Sequence, residues 1–163
     1  IKYAFLKQSI GGDLTFSFSE SLDFHGNSGP YLLYSYVRAR TVLQQAAEAA
    51  QTTVEQLIDT LKNRKDHDAK EYTALEIDLL RKLEGYSAVV EQAALEFAPH
   101  HLCTYLFQLA QLYNTWYGQE KIVSISGDQL SETAWRRLEI NLAVSVILKR
   151  GLSLLGIRTV EHM

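Results

Sequence analysis

The chain holds one cysteine, two prolines and one methionine in 163 residues, and its basic residues do not outnumber its acidic ones. Each shortage excludes something. A lone cysteine, Cys103, cannot form a disulfide within the chain and fits a reducing, cytoplasmic compartment. No apolar run approaches the ~20 residues that a membrane-crossing helix needs, and no signal peptide is visible, so no membrane partner is expected. At a net charge of −3 there is no global basic field of the kind a general nucleic-acid binder carries. No DNA is expected as a partner, and any nucleic-acid contact has to be local and shape-based. There is no glycine-rich phosphate loop, no G-x-S-x-G elbow and no H-E-x-x-H. His100, His101 and Cys103 form the one cluster of metal-ligand types. Adjacent helical residues diverge by about 100°, and structural zinc wants four ligands, so no metal is assigned there. Asp66-His67-Asp68 reads as a solvated turn. No catalytic residue is expected in this chain.

What is present is mostly helical pattern. Length suits one domain with a sizeable core. Helices are expected over 28–50, 54–61, 69–83, 86–97, 99–117 and 131–155, with Ser131 capping the last and Gly156 as its C′ residue. Leu102, Leu106, Leu109, Tyr113 and Trp116 make the core stripe of the fifth. Residues 118–130 read as irregular, with 122–125 briefly extended. The segment 1–27 differs. Residues 1–7 could end a helix or a strand, 14–18 alternate as a short strand would, and 21–24 could make a single turn. The expected fold is therefore an all-α bundle over 28–163, with 1–27 as a short strand and loop appendage. The opening on Ile1, inside a segment that already reads as structured, marks a piece of something longer.

One stretch organises the rest: Asn27-Ser28-Gly29-Pro30-Tyr31-Leu32-Leu33-Tyr34-Ser35-Tyr36-Val37-Arg38-Ala39-Arg40. Asn27 or Ser28 can cap the helix, and Pro30 fits its first turn. At helical spacing Tyr31, Tyr34 and Arg38 fall within roughly 60° of one another. Leu33, Val37, Leu43 and Ala47 are expected to pack on the other side. Two rings and a guanidinium on one face suit a base or a ribose-phosphate. The same residues also suit a purely structural role, half-buried with their polar ends tied off.

Gly26-Asn27-Ser28-Gly29-Pro30-Tyr31 with Tyr34 and Arg38 resembles the G-N-(S/T)-(G/A)-P-Y-x-x-Y-x-x-x-R signature of arginyl-tRNA synthetases. Tyr105-Leu106-Phe107-Gln108-Leu109-Ala110, followed by Tyr113-Asn114-Thr115-Trp116-Tyr117, resembles that family's penultimate helix. The ending from Leu148 through Gly151-Leu152-Ser153-Leu154-Leu155-Gly156-Ile157 to Met163 resembles its terminus. The matches run in order along nearly the whole chain. Val160 departs from the pattern, standing where the family has Pro; Leu33 and Tyr36 replace frequent Gln and His.

The resemblance implies the C-terminal, helical anticodon-binding domain, of DALR type, of an arginine–tRNA ligase. Residues 1–27 would be the exit from the catalytic domain, which is itself the second expected partner. Arginine tRNA would be bound through its anticodon loop. The resemblance places Tyr31, Tyr34, Arg38 and Tyr117 at that loop, with Met163 near the same surface; Trp116 is divided between contact and core. For phosphates the candidates are Arg40, Lys121, Lys149, Arg150 and, most suggestive, Arg136 and Arg137. ATP and magnesium are implied for the parent enzyme and no cofactor for this chain, which alone should not aminoacylate. Two other readings stay open. One is a helical protein-interaction module, favoured by the acidic balance. The other is the corresponding domain of another class I synthetase, such as the cysteinyl enzyme, which the ordered motifs disfavour.

Overall fold

The computed structural model describes residues 1–9, 11, 16–64, 72–127 and 129–161. The chain is an all-α bundle built on three long helices: α3 (Gly29–Ala49), α7 (Pro99–Gln119) and α8 (Glu132–Leu154). Between α3 and α7 lie α4 (Val54–Asn63), α5 (Ala74–Glu84) and α6 (Tyr86–Leu95); α1 (Lys2–Leu6) and α2 (Phe18–Ser21) precede them. The brief extended stretch is a two-stranded hairpin, β1 (Ile125–Ser126) with β2 (Gln129–Leu130), Ile125 opposite Leu130.

Local chemistry sets the ends. Ser28 is the N-cap of α3, its hydroxyl accepting from the amide of Tyr31 at 3.2 Å and donating to the carbonyl of Asp23. Ser131 caps α8 in the same way, accepting from the amide of Ala134 at 3.1 Å. Gly156 ends α8 at φ +66°, with its amide bonded to the carbonyl of Ser153 and that of Ile157 to Leu152. That pair of bonds is a Schellman closure, whose left-handed residue glycine supplies without strain. The carbonyl of Gly156 also accepts from Lys2 Nζ at 2.7 Å, pinning α1 against the end of α8.

The expected core stripe of α7 is buried throughout, Trp116 included. On α3 the stripe is rotated from the expectation. Leu32, Tyr36, Ala39 and Leu43 are buried, whereas Leu33 and Val37 are only partly so. The helix has α7 and α8 on different sides, so its deepest line falls between them. Tyr31 meets Phe107 while Arg38 meets Asn114 and Tyr117, so α3 and α7 run parallel. Tyr113 meets Asn141 and Leu106 meets Gly151, so α8 runs antiparallel to both. Asn141 is fully buried and joins all three, accepting from the Tyr113 hydroxyl at 2.8 Å and donating to the carbonyl of Ala39 at 3.0 Å.

The N-terminal segment corrects the expected strand and turn. Of the expected strand 14–18, residues 14 and 15 lie outside the described residues. Phe16 and Ser17 pair with no strand among the described residues, and a short helix starts at Phe18, with Ser17 as its cap. The expected turn at 21–24 begins only where that helix stops. Residues 2–6 are helical and reach into the core. Tyr3 is 3% exposed and its hydroxyl is shared between Asn27 Oδ1 at 2.6 Å and the carbonyl of Cys103 at 3.1 Å. The Asp66-His67-Asp68 turn lies outside the described residues.

Candidate nucleic-acid interface

Where α3 and α7 run side by side, a cleft of about 490 Å³ opens, lined by Phe24, His25, Tyr31, Tyr34, Arg38 and Asn114. Two of its lining residues, Tyr34 and Arg38, belong to an aromatic and cationic ladder that Tyr117 completes. The Arg38 guanidinium carbon lies 4.6 Å from the Tyr34 ring centre and 4.5 Å from that of Tyr117. Helical spacing brings Tyr34 and Arg38 together at i, i+4, and Tyr117 reaches the same point from the last turns of α7. Each ring keeps 38% of its surface exposed. Cation–π contacts of this kind are worth about 0.5–1 kcal/mol each at an exposed site.

The guanidinium is also held in its plane. One terminal nitrogen donates to Asn114 Oδ1 at 2.7 Å and the other to the Tyr34 hydroxyl. Asn114 in turn donates through Nδ2 to Ser35 Oγ at 2.8 Å, and Ser35 donates to the carbonyl of Tyr31 at 2.8 Å. Tyr31 is half-buried, its ring edge-on to Phe107 at 5.7 Å. It therefore forms the wall of the cleft and anchors the helix start at once. Behind the ladder, burial pushes the Tyr113 hydroxyl well above the usual tyrosine range, so it stays a proton donor to Asn141.

Comparison with known proteins adds a relationship to this geometry. Residues 32–163 match the model of the DALR anticodon binding domain. The chain belongs to that family. The DALR domain is 35% identical over the whole chain to the arginine–tRNA ligase of Psychromonas ingrahamii and 32% identical to that of Shewanella sediminis, spanning about 25% of each. Its fold is similar to that of the Thermus thermophilus arginyl-tRNA synthetase, with a TM-score of 0.77 and 26% identity, covering 99% of this chain and 26% of that one.

Within the DALR domain, then, Tyr31, Tyr34 and Arg38 line one cleft, and Tyr117 packs on Arg38. Three other candidates do not. Trp116 points into the core at 0% exposure, so the contact reading is withdrawn; one residue from Tyr117, it faces about 100° away. Arg136 and Arg137 are not free for phosphate. Their guanidinium groups turn inward to the fully buried carboxylate of Glu76, at 3.3 and 2.7 Å, and Arg137 also pairs with Glu120 at 2.5 Å. Met163 lies outside the described residues. Lys149 and Arg150 are exposed near the end of α8. Asn114, Phe24 and His25 are cleft residues that sequence reasoning did not single out. The signal for Asn114 was its i, i+3 spacing to Tyr117, which puts both on one face.

Proposed function

We infer that this domain recognises unpaired bases of the anticodon loop of arginine tRNA, by stacking them on the Tyr34–Arg38–Tyr117 ladder. One observation carries the reading: a half-open ring, Tyr34, and a fixed guanidinium line a cleft wide enough for a nucleotide, with a second half-open ring, Tyr117, against the same guanidinium. Every base has a π-face, and stacking on an aromatic side chain is worth about 1–3 kcal/mol. Arg38 keeps further N–H donors beyond the two it uses within the protein, and these suit the base edges or phosphates of a splayed loop.

The chain spans about a quarter of the length of the curated relatives it matches. The parent is inferred to be a cytoplasmic enzyme that joins arginine to its tRNA using ATP, with this domain orienting the tRNA toward a catalytic domain elsewhere in the polypeptide. Among the described residues no cluster of three or more His, Cys, Asp or Glu side chains could hold a metal. No residue here is assigned to ATP or magnesium. Among those residues, too, no helix is long and apolar enough to cross a membrane.

The test is a titration of the chain with an arginine anticodon stem-loop and with one bearing an unrelated anticodon, at two salt concentrations. Tyr34→Ala and Tyr117→Ala are each expected to weaken binding to the arginine loop by about 1–3 kcal/mol. Equal affinity for both loops would reject base reading. No binding at low salt would favour a protein-docking role for the same rings.

A further inference from the structure

The stretch from Asn27 to Arg38 has two halves. Tyr31, Tyr34 and Arg38 line the cleft, and Asn27, Ser28 and Gly29 do not. What the first half touches is α1. The Tyr3 hydroxyl donates to Asn27 Oδ1 at 2.6 Å, and Lys7 Nζ donates to the Asn27 carbonyl at 2.9 Å. A Cβ built on Gly29 would stand 3.4 Å from the Cβ of Tyr3, so the bare glycine lets α1 lie close against the start of α3. Ser28 holds the loop between them, capping α3 and donating to the carbonyl of Asp23.

The other two long helices are tied to α1 as well. The same Tyr3 hydroxyl reaches the carbonyl of Cys103 in α7 at 3.1 Å, and Lys2 Nζ reaches the carbonyl of Gly156 behind α8 at 2.7 Å. A helix of five residues is thus bonded to the near ends of α3, α7 and α8 at once. Contacts to three separate elements fix both the place and the bearing of a short rigid body, where one contact would leave it free to swing. An isolated helix of this length does not hold its shape in water, so the socket also keeps α1 helical. The Tyr3 side chain bonds two of the three elements and is 3% exposed. Burial pushes its hydroxyl well above the usual tyrosine range, so it stays a donor.

We propose that Tyr3, seated in a socket of Asn27, Gly29 and Cys103, sets the angle between the cleft and the catalytic domain that the parent enzyme carries ahead of α1. Tyr3 and Asn27 are positioning residues; neither touches the RNA or the reacting atoms. The proposal rests on the reading of this chain as part of an arginine–tRNA ligase. A bound tRNA spans both domains, so an error of angle at α1 grows along the RNA toward its acceptor end. A displacement of about 1 Å at a reacting centre costs rate on the order of 10²-fold. The hydroxyl thereby acts on the rate of transfer and leaves anticodon-loop affinity alone.

The experiment uses the full-length parent enzyme carrying Tyr3→Phe, Asn27→Ala or Asn27→Asp, each measured below its onset of unfolding. Spin labels on α8 and on the catalytic domain report the spread of distances between the two, without RNA. Tyr3→Phe keeps the ring and removes the bonds to Asn27 and Cys103. It should broaden that spread and lower kcat for charging arginine tRNA about tenfold, with the Kd for an arginine anticodon stem-loop held within about twofold. Asn27→Ala should do the same. Asn27→Asp keeps an acceptor for the Tyr3 proton and should restore both readouts. A hydroxyl that serves stability alone would not split kcat from Kd. Unchanged distances and kcat in Tyr3→Phe would overturn the proposal, as would equal losses of kcat and loop affinity. If the parent neither binds the loop nor charges arginine tRNA, the ligase reading fails, and the label distances still decide whether Tyr3 sets the angle.

Discussion

Glu76 is a fully buried carboxylate, and it survives burial because it is surrounded by donors. Arg137 Nε reaches it at 2.7 Å, Arg136 at 3.3 Å and the amide of Thr73 at 3.0 Å. Arg136 lies in turn over the Tyr72 ring at 4.8 Å. Breaking a buried ion pair from one side is far more costly than the pair is worth, since the surviving charges stay desolvated. Glu76→Gln is therefore expected to lower unfolding stability by about 3 kcal/mol, read from denaturant midpoints. The same residues explain why sequence reasoning offered Arg136 and Arg137 for phosphates. Two adjacent arginines announce positive charge, but their partner stands some 60 positions earlier in the chain. Trp116 was the opposite case: its place on the Leu102-to-Tyr113 stripe already said core, and the family pattern at Tyr117 pulled it toward the surface. The ladder residues Tyr34, Arg38 and Tyr117 were legible, two from helical spacing and one from the family pattern, because a face of a single helix is a local property.

Helix ends follow rules that the sequence states in short words. Thr53 with Gln56 and Thr73 with Glu76 are reciprocal capping boxes, and the second starts α5 at Ala74 rather than near residue 69. The T-x-x-E pattern at 73–76 carried that boundary, and the apolar period alone did not. Ser17 with Glu20 is a similar signal, and it belongs to a short helix where alternation suggested a strand. The way elements meet is less local. A Cβ built on Gly151 of α8 would stand 2.5 Å from Leu106 Cδ2, so this glycine lets α8 approach α7. Gly151→Ala gains about 1 kcal/mol of helix propensity and meets an overpacking cost of about 1–3 kcal/mol. It should destabilise the intact chain and stabilise the Leu106→Ala chain. That reversal of sign, measured in a double-mutant cycle, is the expected result; the same sign in both backgrounds would mean the helices simply part.

At the scale of the molecule, burial has put several tyrosine hydroxyls out of reach of base. Desolvation raises Tyr3, Tyr105 and Tyr113 above the ordinary tyrosine range. In the unfolded chain they ionise near the ordinary value of about 10. Below that pH both states are protonated and the fold keeps its full stability. Above it the unfolded chain releases protons that the folded chain retains, so stability falls at about 1.4 kcal/mol per pH unit for each such residue. Alkaline unfolding should accordingly coincide with a cooperative step in tyrosinate absorbance, and unfolding without such a step would contradict the burial.

The all-α architecture could be read from periodicity, and the cleft in full could not, because its walls are far apart along the chain. Arg38 meets Asn114 across 76 positions, and Asn141 reaches back 102 positions to Ala39. That wide separation also sets an order of events during synthesis. The ribosome delivers α3 before its partners, with its tyrosines uncovered, and the facing wall only after α4, α5 and α6 have emerged. The bolt that clamps both walls, Asn141, arrives last, on α8. Contacts of such long range are slow to form, so a nascent chain holds an open aromatic face while α4 to α8 are being made. The cleft is therefore finished only when α8 docks.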